Sequence, residues 1–442
     1  MSDLKDQKQG PPGALCNMPP GPNGPDTISK AQPNHEDMGK DKMISIEEAT
    51  KKLESRVKPL KAEEISVLKS FGRILREDLR SPLSIPPFDR SAMDGYAVKA
   101  ANLLGASGKE PVALNVLEDI PAGQVGKFRL KKGTAARIMT GAPLPRGADT
   151  VVMVEDTESA QDRVLINRTL AKGTHVAPAG EDIKKGERVL QTGTLIGAAE
   201  MGMIAATGRS KVKVSIKPKV CVISTGSEIL KPGKALQPGH IYDANGYSLI
   251  GLATELGADA RFLGIAPDRK GALERKIARA DDADLLVLSG GVSVGDYDLV
   301  QDILLDMGIK RIFYKVNIKP GKPVFAGIQG KRFVLGLPGH PVSCMVTFKL
   351  FAGLLIDTML GKEETGLRRR QAFLSVPIRL KPARRKFLRG ILEETDGRVT
   401  VQPFHAQESS ILKSMVSANV LIDAPEGVTE LKAGSLVDVI PL

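Results

Sequence analysis

The sequence predicts a multidomain chain of mixed α/β and β architecture. At its centre stands a doubly wound, mostly parallel α/β domain, with an inserted β domain before it and a small C-terminal β domain after it. Three observations lead there. From residue 220 to residue 356, short apolar runs alternate with segments of helical period, the pattern of βαβ units. Residues 84–180 and 362–442 instead carry short apolar stretches broken by Gly and Pro. The length of 442 residues also exceeds what one hydrophobic core sustains. The expected divisions are 1–42, 43–213 with the β insertion at about 84–180, 214–361 and 362–442.

Each element follows from its own residues. Residues 1–42 hold Pro11, Pro12, Pro19, Pro20, Pro22, Pro25 and Pro33 among polar side chains, with no apolar run fit for a signal peptide or a membrane span. Such a composition cannot offset chain entropy, so a disordered tail is expected. Ser45 and Glu48 form an S-x-x-E box ahead of a helix reaching about Val57, and a second helix is expected over 62–75. Residues 151–154, 164–166 and 212–216 read as strands. Residues 220–223 make a continuous apolar strand. Leu249, Leu252, Ala253 and Leu256 then recur at i, i+3, i+4 and i+7, a helix buried on one face. Further buried strands are expected over 261–265, 285–288 and 333–337, with helices over 269–280, 299–307 and 341–356. Beyond Gly361 come strands over 373–380, 390–394 and 398–402, the last two forming a hairpin around Asp396-Gly397.

Composition narrows the partners. A formal charge of +12 favours an anionic ligand, whereas an aromatic content of 4% without Trp leaves few platforms for stacking bases. A small anion is therefore expected, with neither nucleic acid nor membrane as partner. Cys16, Cys221 and Cys344 are odd in number and far apart, which suits neither a disulfide framework nor a CxxC metal site. Cys221 and Cys344 read as small buried hydrophobes in a reducing, cytoplasmic setting.

The strand-like runs of the α/β segment end in clusters of small, polar and charged residues. These are Ser224-Thr225-Gly226-Ser227-Glu228, Ser289-Gly290-Gly291 continuing through Asp296, Lys319-Pro320-Gly321-Lys322-Pro323, and Leu337-Pro338-Gly339-His340-Pro341. In an open α/β sheet, ligands bind outside the carboxyl ends of the strands, so these clusters should converge on one site. The backbone N–H groups of Thr225, Gly226 and Ser227 suit an anion-binding concavity, and Gly290, Gly291 and Gly295 allow close backbone approach. Neither loop is a Walker A or G-x-G-x-x-G sequence. Lys319 and Lys322 flank a rigid turn. Two like charges about 4 Å apart repel by about 4 kcal/mol at an effective dielectric near 20, so an anion between them would relieve the pair. Glu228, Asp268, Asp296 and Asp298 would repel a phosphate unless a hard cation such as Mg²⁺ bridged them.

Two upstream loops are unusual for their polarity, at residues 86–97 and 137–145. With them the chain shows, in order, PPFDRSAMDGYAV, RIMTGAPLPRGADTVVMVED, GEDIKKGE, ISTGSE, IYDANGY, SGGVSVGDYD, KPGKP and LPGHPVSC. This series resembles the molybdopterin molybdenumtransferase family, the MoeA and gephyrin E-domain family, in its bacterial-type branch, over all but the tail. The resemblance implies insertion of molybdate into adenylylated molybdopterin with release of AMP, Mg²⁺ dependence, and a homodimer whose clefts use both subunits. Residues 214–361 would be the molybdopterin-binding domain. By motif match, Glu228, Asp268 and Asp298 are implied as catalytic acids and metal ligands, and Asp94 as a catalytic residue reaching across the cleft with Thr140. Thr225, Gly226, Ser227, Gly290, Gly291, Lys319, Lys322, Pro338 and Ser343 are implied to bind the substrates. A transient contact with the molybdopterin adenylyltransferase is implied too. The chain departs from the pattern at Asp296, where the family more often has Glu, and at His340, where it commonly has Asn. Ile411 and Val416 stand where the eukaryotic branch often has Arg. A scaffold on the same fold and a tungstate-specific paralogue are the competing readings.

Overall fold

A computed structural model describes residues 43–291, 299–395 and 397–442. The expected disordered tail lies outside the described residues, as do Asp296, Asp298 and Asp396.

The central sheet runs, strand by strand, Asp259–Ala266, Lys219–Thr225, Leu285–Ser289, Arg332–Leu337, Phe325–Gln329 and Lys310–Tyr314. Its first four strands are parallel, and Phe325–Gln329 and Lys310–Tyr314 add an antiparallel edge that the apolar pattern did not reveal. The strand interiors are apolar throughout because both faces are covered. Val220, Val222, Leu285 and Val287 point into one core with Leu249 and Ala253 of the helix Asn245–Glu255. Cys221, Ile223, Leu286 and Leu288 point into the other, with Leu273 and Ile277 of the helix Lys270–Ala278 and Ile303 of the helix Leu299–Asp306. That alternation is the doubly wound arrangement expected from the sequence. The helical stretch Pro341–Leu360 is long and apolar enough to cross a membrane, but it is largely buried in the first core. A π turn at Phe348–Ala352 interrupts it.

Upstream, Ser45 caps the helix Ile46–Glu54 by accepting from Glu48 N–H at 3.1 Å. The helix expected over 62–75 does not form. Ala62–Ser66 is a strand paired antiparallel with Lys211–Ser215, followed by the 3-10 turn Val67–Lys69. Pairing with a strand distant along the chain overrides the helix preference of Ala62-Glu63-Glu64. Leu79–Arg80 pairs with Arg188–Leu190, closing the base of an inserted lobe. Inside it, a six-stranded sheet runs Thr150–Met153, Gly95–Val98, Thr134–Ile138, Val112–Ile120, Arg163–Ile166 and Thr157–Ala160.

At the C-terminal end, Arg385–Thr395, Arg398–Pro403, Arg370–Leu374, Leu436–Pro441 and Val420–Ala424 follow one another. The last pairs back to the first, which closes a small barrel. The hairpin is present, with Thr395 opposite Arg398. The single strand expected over 373–380 is instead two, Arg370–Leu374 and Ile378–Arg379. Pro377, which has no N–H to donate to a ladder, falls between them. Ile318–Lys319 leaves the α/β unit to add a strand beside the barrel, Lys319 opposite Lys386.

Candidate active site

Register brings the strand ends together. Thr225 lies opposite Ala266, Ser224 opposite Ser289, and Ser289 opposite Leu337, so all four strands finish on one edge. The second strand in the chain lies on one side of the first and the third on the other, the reversal that opens a crevice at the carboxyl ends. A cavity of about 570 Å³ occupies it. Thr225, Gly226, Glu228, Asp268, Gly290, Gly291, Pro338 and His340 are among the residues lining it.

The glycines are there for shape. A Cβ on Gly226, at φ +153°, would meet both Glu228 carboxylate oxygens, at 2.7 and 2.8 Å. One on Gly290, at φ +101°, would meet the Thr225 carbonyl at 2.3 Å. The expected concavity of free N–H groups does not form, however. Gly226 N–H donates to the Ala266 carbonyl at 3.1 Å, Ser227 N–H to Asp268 Oδ2 at 3.2 Å, and Gly290 N–H to the Leu337 carbonyl at 3.0 Å. These donors brace the loops against each other. Asp268 N–H in turn donates to Ser227 Oγ at 3.2 Å, a reciprocal pair that orients the carboxylate at the cavity.

Lys319 and Lys322 do not line this crevice. They line an adjoining cavity of about 800 Å³, which shares Pro323 with the first and lies between the α/β unit and the barrel. Ser343 is in its wall, together with Arg379, Lys381, Arg384, Lys386 and Arg389 from the barrel side. Lys386 is buried, and its Nζ donates to the Lys381 carbonyl at 2.6 Å. Desolvation, with Lys319, Arg384 and Lys381 close by, holds its pKa below the usual lysine value. Arg389 is almost fully buried and spends its guanidinium on Ser414 Oγ and on the Ala406 and Glu408 carbonyls, fixing the loop that carries Ser409. Sequence reasoning missed these barrel cations. Their signal was the density of basic residues from Arg379 to Arg389, which without the fold reads as a solvated surface.

Asp94 and Thr140 are held together elsewhere. Gly95 pairs with Ile138, which sets the two loops side by side. Asp94 Oδ1 accepts from both the N–H and the Oγ1 of Thr140, each at 2.7 Å, and these bonds keep the carboxyl below its usual pKa. Neither residue lines either cavity of its own chain. A separate cavity of about 480 Å³, bordered by Leu195, Lys349 and Leu442, contains none of the expected site residues.

A strand-end crevice with carboxylates lies beside a chamber lined by cations, a pairing suited to an anionic ligand. Comparison with known proteins gives the family. Residues 44–208 match the MoeA N-terminal region (domain I and II), residues 221–357 the probable molybdopterin binding domain, and residues 371–442 the MoeA C-terminal region (domain IV). The molybdopterin molybdenumtransferase 2 of Mycobacterium tuberculosis is 37% identical over 405 residues, covering 90% of this chain and 99% of that protein. The molybdopterin molybdenumtransferase of Nostoc sp. is 37% identical over 383 residues, 84% of this chain and 86% of that one. A molybdopterin biosynthesis MoeA structure from Pyrococcus horikoshii superposes with a TM-score of 0.78 at 30% identity, covering 91% of this chain and 100% of that chain. The chain belongs to the molybdopterin molybdenumtransferase family, transferases of molybdenum cofactor biosynthesis.

Proposed function

We propose that this transferase inserts molybdate into adenylylated molybdopterin and hydrolyses the adenylyl group to release AMP, as a Mg²⁺-dependent homodimer. The observation that carries this reading is the pair of adjoining cavities. The molybdopterin and its phosphates occupy the strand-end crevice, where Thr225, Gly226, Gly290, Gly291 and Pro338 admit them close to the backbone. Molybdate, a small divalent oxyanion, occupies the basic chamber between Lys319, Lys322 and Lys386, with Ser343 in the wall. Pro323 is common to both, so the metal's acceptor and its source are neighbours.

Among the described residues, no three His, Cys, Asp or Glu side chains gather into a metal cage. Mg²⁺ needs none: it usually keeps several waters and takes one or two carboxylates plus substrate phosphate oxygens. Glu228 and Asp268 fit that role and would hold it, joined by Asp298 on the motif match. Held by these carboxylates, Mg²⁺ would supply charge neutralisation at a substrate phosphate. Ser227 keeps Asp268 aimed at the crevice.

The dimer rests on two features. Asp94 and Thr140 line neither cavity of their own chain, so in this reading a second copy presents them. An exposed apolar patch also awaits cover: Leu68, Phe71 and Leu195 are 86%, 68% and 56% exposed, beside the apolar helix Ala198–Ala206, in which only Ile204 is buried. A transient contact with the adenylyltransferase that supplies the substrate, and a cytoplasmic location, belong to the same reading.

The test is molybdate-dependent AMP release from adenylylated molybdopterin. Glu228→Ala and Asp268→Ala should each abolish turnover without unfolding the chain. Lys322→Ala should weaken molybdate binding by about 10- to 150-fold, the loss of one charge-assisted hydrogen bond. Wild-type rates in both acid variants, or unchanged molybdate affinity when Lys319 and Lys322 are both Ala, would sink the assignment.

A further inference from the structure

Asn245 opens the helix Asn245–Glu255 and borders the strand-end crevice, although only 9% of it is exposed. Its Nδ2 donates to the Gly339 carbonyl at 2.7 Å and to Ser289 Oγ at 2.9 Å. A carbonyl oxygen can only accept, so the Gly339 contact settles which end of the amide is nitrogen. The clamp is completed from behind, where Ser289 Oγ meets Cys344 Sγ at 3.2 Å. Burial pushes that thiol's pKa up to about 12, so it stays neutral.

Oδ1 is what remains. Among the described residues no donor reaches it, and it is not one of the polar atoms sealed away from the cavity. The neighbouring acceptor differs. Asp243 already takes Gly246 N–H on Oδ1 at 2.9 Å and Ser224 Oγ on Oδ2 at 2.8 Å. Asn245 therefore presents a neutral acceptor of fixed direction to the crevice, on a side chain that cannot turn without leaving the Gly339 carbonyl facing an oxygen.

We infer that Asn245 Oδ1 accepts a hydrogen bond from an N–H group of the substrate's heterocycle and so helps to determine which ring the crevice admits. This rests on the reading of that crevice as the substrate site. A pterin carries such donors at N3 and its 2-amino group, and adenine at its 6-amino group.

The experiment is equilibrium binding of wild type and Asn245→Ala to metal-free molybdopterin and to AMP. Each ligand is paired with a counterpart whose N–H donors are methylated: a pterin methylated at N3 and the 2-amino group, and N6,N6-dimethyl-AMP. Wild type should bind the methylated form of one of the two about tenfold more weakly, and Asn245→Ala should bind both forms alike. The ligand that shows the difference identifies the ring. A residue that only braced the loops would lower both forms together and keep their ratio. Asn245→Ser, which keeps a small polar group in place of the amide, serves if the Ala variant does not fold, and molybdate binding in the basic chamber reports on folding. A preference undiminished in the variants, or none in wild type for either ligand, overturns the inference. Wild type binding neither ligand would overturn the reading of the crevice, and this inference with it.

Discussion

Lys386 shows how one residue can set the behaviour of a whole chamber. It is buried beside Lys319, Arg384 and Lys381, and desolvation together with these like charges lowers its pKa below the ordinary lysine value. The folded state therefore binds this proton less readily than the unfolded state does. Protonated Lys386 costs stability; that cost is full below the lowered value and is relieved as pH rises from there to the ordinary lysine value, where the unfolded chain loses the proton too. A bound oxyanion reverses the balance by favouring the charged form. Molybdate affinity should accordingly be highest where Lys386 is protonated and should fall as pH rises through a window below the ordinary lysine range. Titration calorimetry across pH checks this, with Lys386→Met expected to flatten the profile. An equally steep fall in that variant would assign the proton to another group. At the same scale, the resemblance implied that Asp94 and Thr140 both reach across the cleft; the structure adds that the two are bonded to each other, by two hydrogen bonds of 2.7 Å across a strand register.

Among the elements, the most consequential tie joins the first helix to the barrel. Arg385 donates to both carboxylate oxygens of Asp423, at 2.6 and 2.7 Å, and Arg369 donates to Asp423 Oδ2 at 3.1 Å. Arg385 also reaches Glu47 of the helix Ile46–Glu54. The Asp423 side chain is 1% exposed, so removing it strands two guanidinium groups beside a buried wall. Asp423→Ala should destabilise the protein by about 2 to 3 kcal/mol, less than a fully buried pair because the Arg385 side chain keeps some solvent. Urea unfolding measures it, and a change below about 0.5 kcal/mol, the ordinary range for a surface substitution, would show that the network carries no load. The same strand, Arg385–Thr395, supplies Lys386 and Arg389 to the basic chamber, so displacement of the barrel should weaken molybdate binding as well.

For the whole molecule, the apolar patch at Leu68, Phe71 and Leu195 is the testable feature. The backbone bond from Gly72 N–H to the Ile196 carbonyl at 2.8 Å sets Phe71 beside Leu195. Substituting both Phe71 and Leu195 with Glu should convert a dimer into a monomer by sedimentation. Under the proposed two-copy site it should abolish AMP release, since Asp94 and Thr140 would no longer reach a neighbouring crevice, while molybdate binding in the basic chamber should persist. A wild-type monomer with full turnover would refute the two-copy site.

The α/β core was legible in the residues, because a strand buried on both faces must be apolar throughout and a helix packed on it must show a 3.6-residue period. The family was legible too, since eight motifs in order say more than any local pattern. Pairings between distant segments emerge only in the folded chain. Ala62–Ser66 became a strand because Lys211–Ser215 lies beside it, against its local preference. Lys319 and Lys322 left the crevice for the chamber next door because Ile318–Lys319 joins the barrel at Arg385 and Lys386. The N–H groups of Gly226, Ser227 and Gly290 were claimed by the ends of neighbouring strands and by Asp268 rather than left for an anion. In each case the deciding partner lies far along the chain, where periodicity and turn chemistry, which act over a few residues, carry no information.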